Sequence, residues 1–315
     1  MQQEKKRLIV LTGPTAVGKT KLSIALVRAV GGEIISADSM QVYRGMDIGT
    51  AKITPEEMGG IPHHLIDILS PKEEFNVVSF QKLAMKAMEG IYAREKIPVI
   101  VGGTGFYIQA VTNAIDFTES EADAALREEL FDFAREHGAA ALHKKLEMVD
   151  SVAAAQIHEN NIKRVVRALE YYAQTKKPIS EHNEEQTKRT SPYELYYFVL
   201  TAPRALLYEA INRRVDQMMT DGFLDEVKHL KAQGVTRGML SMQGLGYKEL
   251  FAYLDGEITL ENAKELIKRD TRHFAKRQLT WFKRERGVIW VDKSKYQFDE
   301  AKILDAMLAL LPKKG

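Results

Sequence analysis

The sequence predicts an α/β fold, a parallel-sheet core into which an all-helical domain is inserted. Two observations carry this expectation. Short apolar runs alternate with amphipathic helical text at both ends of the chain, and in a long central interval those runs stop altogether. Alternation of strand and helix implies a parallel sheet with helices on both faces. Its interruption by helix alone implies a second unit, as does a length of 315 residues, beyond the usual single core.

The first run, RLIVLT at 7 to 12, feeds directly into GPTAVGKT and then into the helical KLSIALVRAV. G-x-x-x-x-G-K-T between strand and helix is a P-loop, so the core is expected to be P-loop NTPase-like. Gly13 and Gly18 let backbone N–H groups close around an anion, with Pro14, Thr15, Ala16 and Val17 completing the loop. The helix directs its positive dipole end to the same point, Lys19 adds a cation, and the Thr20 hydroxyl is placed to ligate Mg²⁺. The motif establishes phosphate binding and leaves the reaction open.

The second run, GEIISA at 32 to 37, leads into ADSMQVY, which sets Asp38 just past the strand. Ligands of open α/β sheets bind at the carboxyl ends of strands. Asp38 can there be a water-mediated magnesium partner, a helix cap or a general base, and position alone leaves all three open. The third run, PVIVGG at 98 to 103, leads into VGGTGFY. A P-loop protein that hydrolyses ATP usually carries its magnesium carboxylate at such a place. Here Gly102 and Gly103 allow a ligand close to the backbone and Thr104 offers one hydrogen bond. None of them activates water, so the phosphate chemistry need not be hydrolysis.

From about 119 to 190 the text is Ala, Glu, Leu and Lys-rich, as in EADAALREELFDFAREHG and NNIKRVVRALEYYAQTKK, and no strand is expected. Strand text returns with LYYFVLTA at 195 to 202 and GVIWVD at 287 to 292. The core is therefore expected at 1–118 and 191–315, with the helical domain at 119–190.

The net charge of +2 hides segregation. Between 114 and 136 eight acidic residues, among them Asp116, Glu119, Glu121 and Asp123, face two arginines. Between 264 and 286 nine basic residues face three acidic ones. Lys264, Lys268, Arg272 and Lys276 recur every four residues, a basic stripe on a helix, either a solvated face or a seat for an anionic partner. The chain has no cysteine, which excludes disulfides and thiolate sites and favours a reducing compartment. The apolar run before Gly13 is too short for a signal peptide, and no window approaches a membrane span, so a cytoplasmic protein with no membrane partner is expected. His63 and His64 adjoin a strand-like LIDI, where neighbours point to opposite faces and do not share a metal. Trp281, Phe282, Met218 and Met219 read as packing, the first two with stacking on RNA bases as the alternative.

At GPTAVGKT, ADSMQVYRGMDIGTAK, PHHLIDI, VGGTGFY, NNIKRVVRALE and SMQGLGYKEL, in that order, the chain resembles the tRNA dimethylallyltransferases. These blocks run from about residue 7 to 286, and DSMQVY with GTAK and GGTG is far more specific than a P-loop. The resemblance implies transfer of a dimethylallyl group from dimethylallyl diphosphate to the exocyclic amine of the adenosine 3′ to a tRNA anticodon. It implies that Asp38 is the base, that Lys19, Thr20 and the loop hold the diphosphate with Mg²⁺, and that Arg214 assists its departure. It puts Ser39, Met40, Gln41 and Thr104 at the target base, with Lys163, Arg164, Val165, Val166 and Arg167 on the RNA and with them Gln243, Gly244, Leu245, Gly246, Tyr247 and Lys248. The partner would be a tRNA anticodon stem-loop and the enzyme a monomer. Ala210 and Asn161 depart from the family's pattern of arginine and aspartate, so no role passes to them. A P-loop kinase of small molecules or nucleotides, an adenylate isopentenyltransferase acting on free nucleotide, and a non-enzymatic RNA-binding nucleotide switch are the competing readings. The large helical insertion with basic segments argues against a free nucleotide as acceptor.

Overall fold

The computed structural model describes residues 5–115, 117, 124–188 and 190–312. They form two compact units, one of residues 1–112 and 191–315, the other of 113–190. The expected boundary between 118 and 119, and the carboxylates Asp116, Glu119, Glu121 and Asp123, lie outside the described residues.

The larger unit is built on six parallel strands: β1 (Arg7–Thr12), β2 (Gly32–Ala37), β3 (His63–His64), β4 (Ile97–Gly102), β5 (Glu194–Thr201) and β6 (Val288–Asp292), in the order β3-β2-β4-β1-β5-β6. Every residue of β2 and all but the first of β1 are buried, because helices cover both faces and the usual inside-outside alternation disappears. The period of two survives in the choice of face: Leu8, Val10, Tyr197 and Val199 enter one apolar cluster, while Ile9, Leu11, Phe198 and Leu200 enter the other. The LIDI segment is not a strand. The short β3 is His63–His64 itself, paired to Ile34 and Ile35 of β2, and the two imidazoles part as expected: His63 Nδ1 meets the Ile61 carbonyl and His64 Nε2 meets Glu33.

Helices connect these strands and begin where the sequence supplies caps. The first, α1 (Lys19–Val30), starts at Gly18 with φ 86° and stops at Gly31 with φ 71°, both left-handed positions that suit glycine. A short α2 (Pro55–Met58) opens with a Thr54–Glu57 capping box, and Asn76 caps α3 (Val77–Ala93) by accepting from the Ser79 N–H. After β4 comes α4 (Gly105–Thr112). The smaller unit holds α5 (Ala124–His137), α6 (Ala139–Val149), α7 (Ser151–Gln156), α8 (Ile162–Thr175) and α9 (Ile179–Lys188), around Leu142, Leu146, Val165 and Val166. Arg127 forks onto the buried Glu170 there, with bonds of 2.7 and 3.2 Å. Beyond β5, the larger unit adds α10 (Arg204–Thr220), α11 (Phe223–Ala232), α12 (Tyr247–Leu254) and α13 (Leu260–Phe282), and after β6 it closes with α14 (Glu300–Leu308). Among the described residues no helix is long and apolar enough to cross a membrane.

At the amino end of β2, away from the ligand edge of the sheet, Glu33 is 2% exposed and gathers two cations and an imidazole. Arg94 donates to it at 3.0 and 2.7 Å, Lys96 lies 3.1 Å away and His64 2.8 Å away. The Arg94 hydrogen bonds outweigh burial and hold the Glu33 carboxyl at about 2, below its ordinary 4.5. A depressed carboxyl stabilises the fold fully above its unfolded value and loses that contribution as pH falls through the folded one. We therefore expect Glu33→Gln to lower the unfolding free energy by about 1 to 3 kcal/mol at neutral pH, a range discounted because the cations face solvent. In urea titrations the gap to the parent should shrink between about pH 5 and pH 3; a gap that stays constant in acid would remove the ionic cause.

Candidate active site

The P-loop joins β1 to α1. Gly13 has φ 146°, and a Cβ there would stand 2.5 Å from the Leu200 carbonyl of the neighbouring strand, so no other residue fits the turn. Lys19 folds back so that its Nζ donates to the Gly13 and Pro14 carbonyls, both at 3.0 Å. Burial, then the positive charge of Arg214, lower its pKa to about 8 against the opposing pull of Asp38. As a whole residue Lys19 keeps intermediate exposure; the desolvated part is the ammonium group. Val17 belongs to the core, 5% exposed, and contributes only backbone to the loop.

Asp38 follows β2. Its Oδ1 accepts from the Met40 and Gln41 amides at 2.9 and 3.3 Å, and among the described residues none donates to Oδ2. No helix starts there, so the helix-cap role is replaced by the capping of a turn. Asp38 also lines two neighbouring cavities. The smaller, about 70 Å³, contains Lys19 and Thr20; the larger, about 330 Å³, contains Thr15, Ser39, Met40, Thr104 and Arg214. One carboxylate oxygen is fixed, the other has no donor among the described residues, and the residue stands between the P-loop cavity and a roomy pocket.

Arg214 reaches this pocket from α10. Burial lowers its pKa while Asp38 opposes the shift, and among the described residues it makes no hydrogen bond or ion pair. The far wall comes from Gln243, Gly244, Leu245, Tyr247 and Lys248 and from Thr271, Phe274 and Arg277 of α13. The last three were not singled out from the sequence, although their spacing on one helix face was available as a signal. Met218 also lines the pocket and does more than pack.

Several expected contacts are corrected. Gln41 spends its amide on Ser36, Thr50 and Ala51 and is a brace for the loop. Gly246 is buried, and its missing Cβ leaves room for the Phe223 ring. Val165 and Val166 are in the core of the helical unit, 0% and 1% exposed, whereas Lys163, Arg164 and Arg167 are exposed. The stripe on α13 is partly neutralised: Lys268 pairs with Asp216 at 2.7 Å, Arg272 donates to Asn212 at 2.7 Å, and Lys264 pairs with Glu261. Gly102 and Gly103 admit protein where a ligand was expected. A Cβ on the first would meet the Ala37 carbonyl at 2.3 Å, and one on the second the Gln278 amide at 2.3 Å. Trp281 and Phe282 pack as expected, Trp281 over Gly105 and Phe282 fully buried.

Three bracing residues escaped sequence reasoning. Gln278 of α13 accepts from the Thr15 amide and donates to the Gly103 carbonyl, both at 2.9 Å, tying the P-loop to the loop after β4. Glu226 accepts from the amides of Asp47, Ile48 and Gly49 and from the Tyr247 hydroxyl. Lys52, within GTAK, donates to the Tyr43 carbonyl and to Asp47 and Asp67. No local pattern marks Gln278 or Glu226, whose loop partners lie more than 100 positions away; Lys52 acts within its own stretch of chain, on partners 5 to 15 positions away.

Residues 41–285 match the family described as IPP transferase, and residues 6–69 match isopentenyl transferase. The chain is 59% identical to the tRNA dimethylallyltransferase of Lachnoclostridium phytofermentans, with 98% of each chain covered. It is 50% identical to that of Halalkalibacterium halodurans over 94% of each. Among solved structures it is similar to the full-length tRNA isopentenylpyrophosphate transferase of Bacillus halodurans, with TM-score 0.70, 47% identity and coverage of 97% of this chain and 99% of that one. It is also similar to a eukaryotic dimethylallyltransferase acting on tRNA, with TM-score 0.81, 31% identity and coverage of 98% and 81%.

The lowered pKa of Lys19 gives the pocket a pH signature. Only the protonated lysine pairs with an anion, so the affinity for inorganic diphosphate that the parent holds over Lys19→Met, a comparison in which the ligand's own ionisation cancels, should be constant below about pH 8. Above it that advantage should fall roughly tenfold per unit until the pKa of the complex is reached. Calorimetry in buffers of different ionisation enthalpy should show proton uptake on binding near pH 8.5, and Lys19→Met should abolish it. Uptake retained in that variant would assign the titration elsewhere.

Proposed function

The chain belongs to the IPP transferase family, and we propose that it transfers the dimethylallyl group of dimethylallyl diphosphate to the N6 amine of the adenosine 3′ to the anticodon of a tRNA. The observation that carries this reading is Asp38, with one oxygen held by two amides, the other without a donor among the described residues, and the residue bordering both the P-loop cavity and the larger pocket. The diphosphate lies on the loop amides, at the positive end of α1, between Lys19 and Arg214, and the adenine enters the pocket beside Thr104 and Ser39. Attack by the N6 amine on the allylic carbon forms the C–N bond as the C–O bond to diphosphate breaks. The electron pair leaves with the diphosphate and the amine proton goes to Asp38 Oδ2. The positive charges of Lys19 and Arg214 stabilise the leaving group, and the carboxylate is worth about 10²-fold to 10⁴-fold for a nucleophile this weak.

A divalent cation fits the oxygen set beside the loop. Among the described residues no cluster of His, Cys, Asp or Glu would cage a metal, but the Thr20 hydroxyl and Asp38 share the small cavity. Such sparse ligation suits Mg²⁺, which takes most of its ligands from water and substrate phosphates and, when bound, adds positive charge at the diphosphate. Adenine must leave the anticodon-loop stack to react, so a large RNA-binding surface accompanies the small-molecule site. The exposed Lys163, Arg164 and Arg167 of the helical unit support a phosphate-contacting role there. The absence of cysteine and the tRNA substrate support a cytoplasmic enzyme, which we take to be a monomer.

Incubation of the protein with labelled dimethylallyl diphosphate and unmodified tRNA should label the RNA, and no transfer would refute the reading. Asparagine caps the turn as aspartate does but accepts no proton. Asp38→Asn should therefore cut single-turnover transfer by about 10² or more with both substrates still bound and no rescue by added Mg²⁺. Rescue by magnesium would make Asp38 a metal partner instead. Arg164→Glu with Arg167→Glu should weaken tRNA binding and flatten its salt dependence while diphosphate affinity stays put; unaltered tRNA affinity would move the interface elsewhere.

A further inference from the structure

Lys293, 6% exposed, is the one lysine or arginine among the described residues that is buried as a whole residue, and it lies outside the site described so far. It follows β6, at the start of a one-turn helix, Lys293–Tyr296, that Asp292 caps. Its side chain borders a hollow with Ala16, Val17 and Gly18 of the P-loop, apart from the two cavities that Asp38 lines. Nζ donates to the Val17 carbonyl at 3.2 Å and stands 2.8 Å from where a Cβ on Gly18 would be, so the ammonium lies against the loop at its last glycine. Glu300, at the first position of α14, is 3.8 Å away, too far for a hydrogen bond, and is itself 40% exposed. An ammonium group has three donors and is rarely buried without a close counterion. Here one donor has a hydrogen-bond partner and the ion pair with Glu300 is long and partly solvated, so the charge is only partly compensated within the chain and keeps a pull on an external anion.

The peptide plane after Val17 makes this specific. With its carbonyl bonded by Lys293, the Gly18 N–H of the same trans plane points the opposite way, and the Lys19 and Thr20 amides follow at the positive end of α1. Gly18 sits at φ 86°, where the backbone is soft, and without an external partner the plane is free to turn its oxygen toward the ligand. A carbonyl facing a diphosphate is repulsive and an amide attractive, so the orientation of that one plane matters for affinity.

We propose that Lys293 is a positioning residue for the diphosphate: it pins the Val17 carbonyl of the P-loop, keeps the following amides turned to the ligand, and adds its charge to the field of the loop. It does not touch the reacting atoms. This rests on the reading of the loop as a diphosphate site and assigns a residue outside the G-x-x-x-x-G-K-T segment to it.

The test is calorimetric binding of inorganic diphosphate to the full chain, with steady-state kinetics alongside. Lys293→Met keeps the length and apolar stem but loses donor and charge. We expect the diphosphate dissociation constant and the KM for dimethylallyl diphosphate to rise about tenfold. The kcat and the tRNA affinity should stay within about twofold, and Lys293→Arg should recover most of the loss. Glu300→Gln leaves Lys293 in place and removes the partial countercharge, so it should tighten diphosphate about twofold. A folded Lys293→Met with parental affinity, a loss that Lys293→Arg shares in full, or a fall in kcat without a change in diphosphate affinity each overturns the proposal. If Lys293→Met fails to fold, Glu300→Gln decides, and unchanged affinity there overturns it too. Should the parent itself not bind diphosphate, the reading of the loop falls and this inference with it.

Discussion

The larger unit is organised around positive charge held at one sheet edge without permanent neutralisation. Lys19 is tied to two carbonyls, Arg214 has no ion pair among the described residues, and burial lowers the pKa of both. Asp38 is the carboxylate that offsets each of them, and it is needed as such. Two desolvated cations beside a helix N-terminus are costly until an anion arrives. If that anion is the diphosphate proposed above, the same field would stabilise it further as it becomes a leaving group and gains charge, which is the condition for catalysis as distinct from binding. A surface ion pair at Arg214 would have removed this preference.

Holding such a site open requires bracing from groups that do not neutralise it. Gln278 links the loops after β1 and β4 with a neutral amide, and Glu226 places its charge on the amides of 47 to 49, on a different loop from the phosphate cradle. These partners are separated by 263 and by 177 to 179 positions. The site is therefore incomplete until α11 and α13 have packed against loops from the first third of the chain. Loop closure over that span is paid late in folding, and the amino-terminal half cannot by itself preorganise the cradle that its own motif encodes.

This distance also explains what was legible in the sequence. Elements with local causes were readable: strands at 7 to 12 and 32 to 37 match β1 and β2, and those near 98, 195 and 287 are displaced by a residue. The P-loop was readable because its chemistry is contiguous. The histidine strand was misplaced by LIDI, an apolar run that the tertiary structure spends on bends. The block from Lys163 to Arg167 was taken whole, but a helix of 3.6 residues per turn sends its two valines inward and its three cations outward, so a continuous segment is a divided surface. The basic stripe was legible in its period and not in its partners: α10 brings Asp216 and Asn212 to the same face, and only the fold reveals them.

The glycines after β4 show how the backbone itself selects the chemistry. Read from sequence, Gly102 and Gly103 made room for a ligand. In the fold they make room for β2 and α13. Gly102 pairs with Ala37, whose carbonyl stands 2.3 Å from where a Cβ would be, and the same carbonyl accepts the Thr104 amide at 3.1 Å. A carboxylate side chain at 102 would have to displace that carbonyl, and one at 103 the Gln278 bridge. The place where a hydrolytic P-loop protein keeps its metal carboxylate is thus occupied by neighbouring chain. The close approach has a second effect. It draws the ends of β2 and β4 together, so that Asp38, one residue past Ala37, and Thr104, two past Gly102, line one cavity. The contact that removes the carboxylate from one strand end is the contact that sets the remaining one beside a hydroxyl and a phosphate loop. That arrangement supports the proposed acceptor amine, with a proton to lose, over water, which has no carboxylate at β4 to direct it.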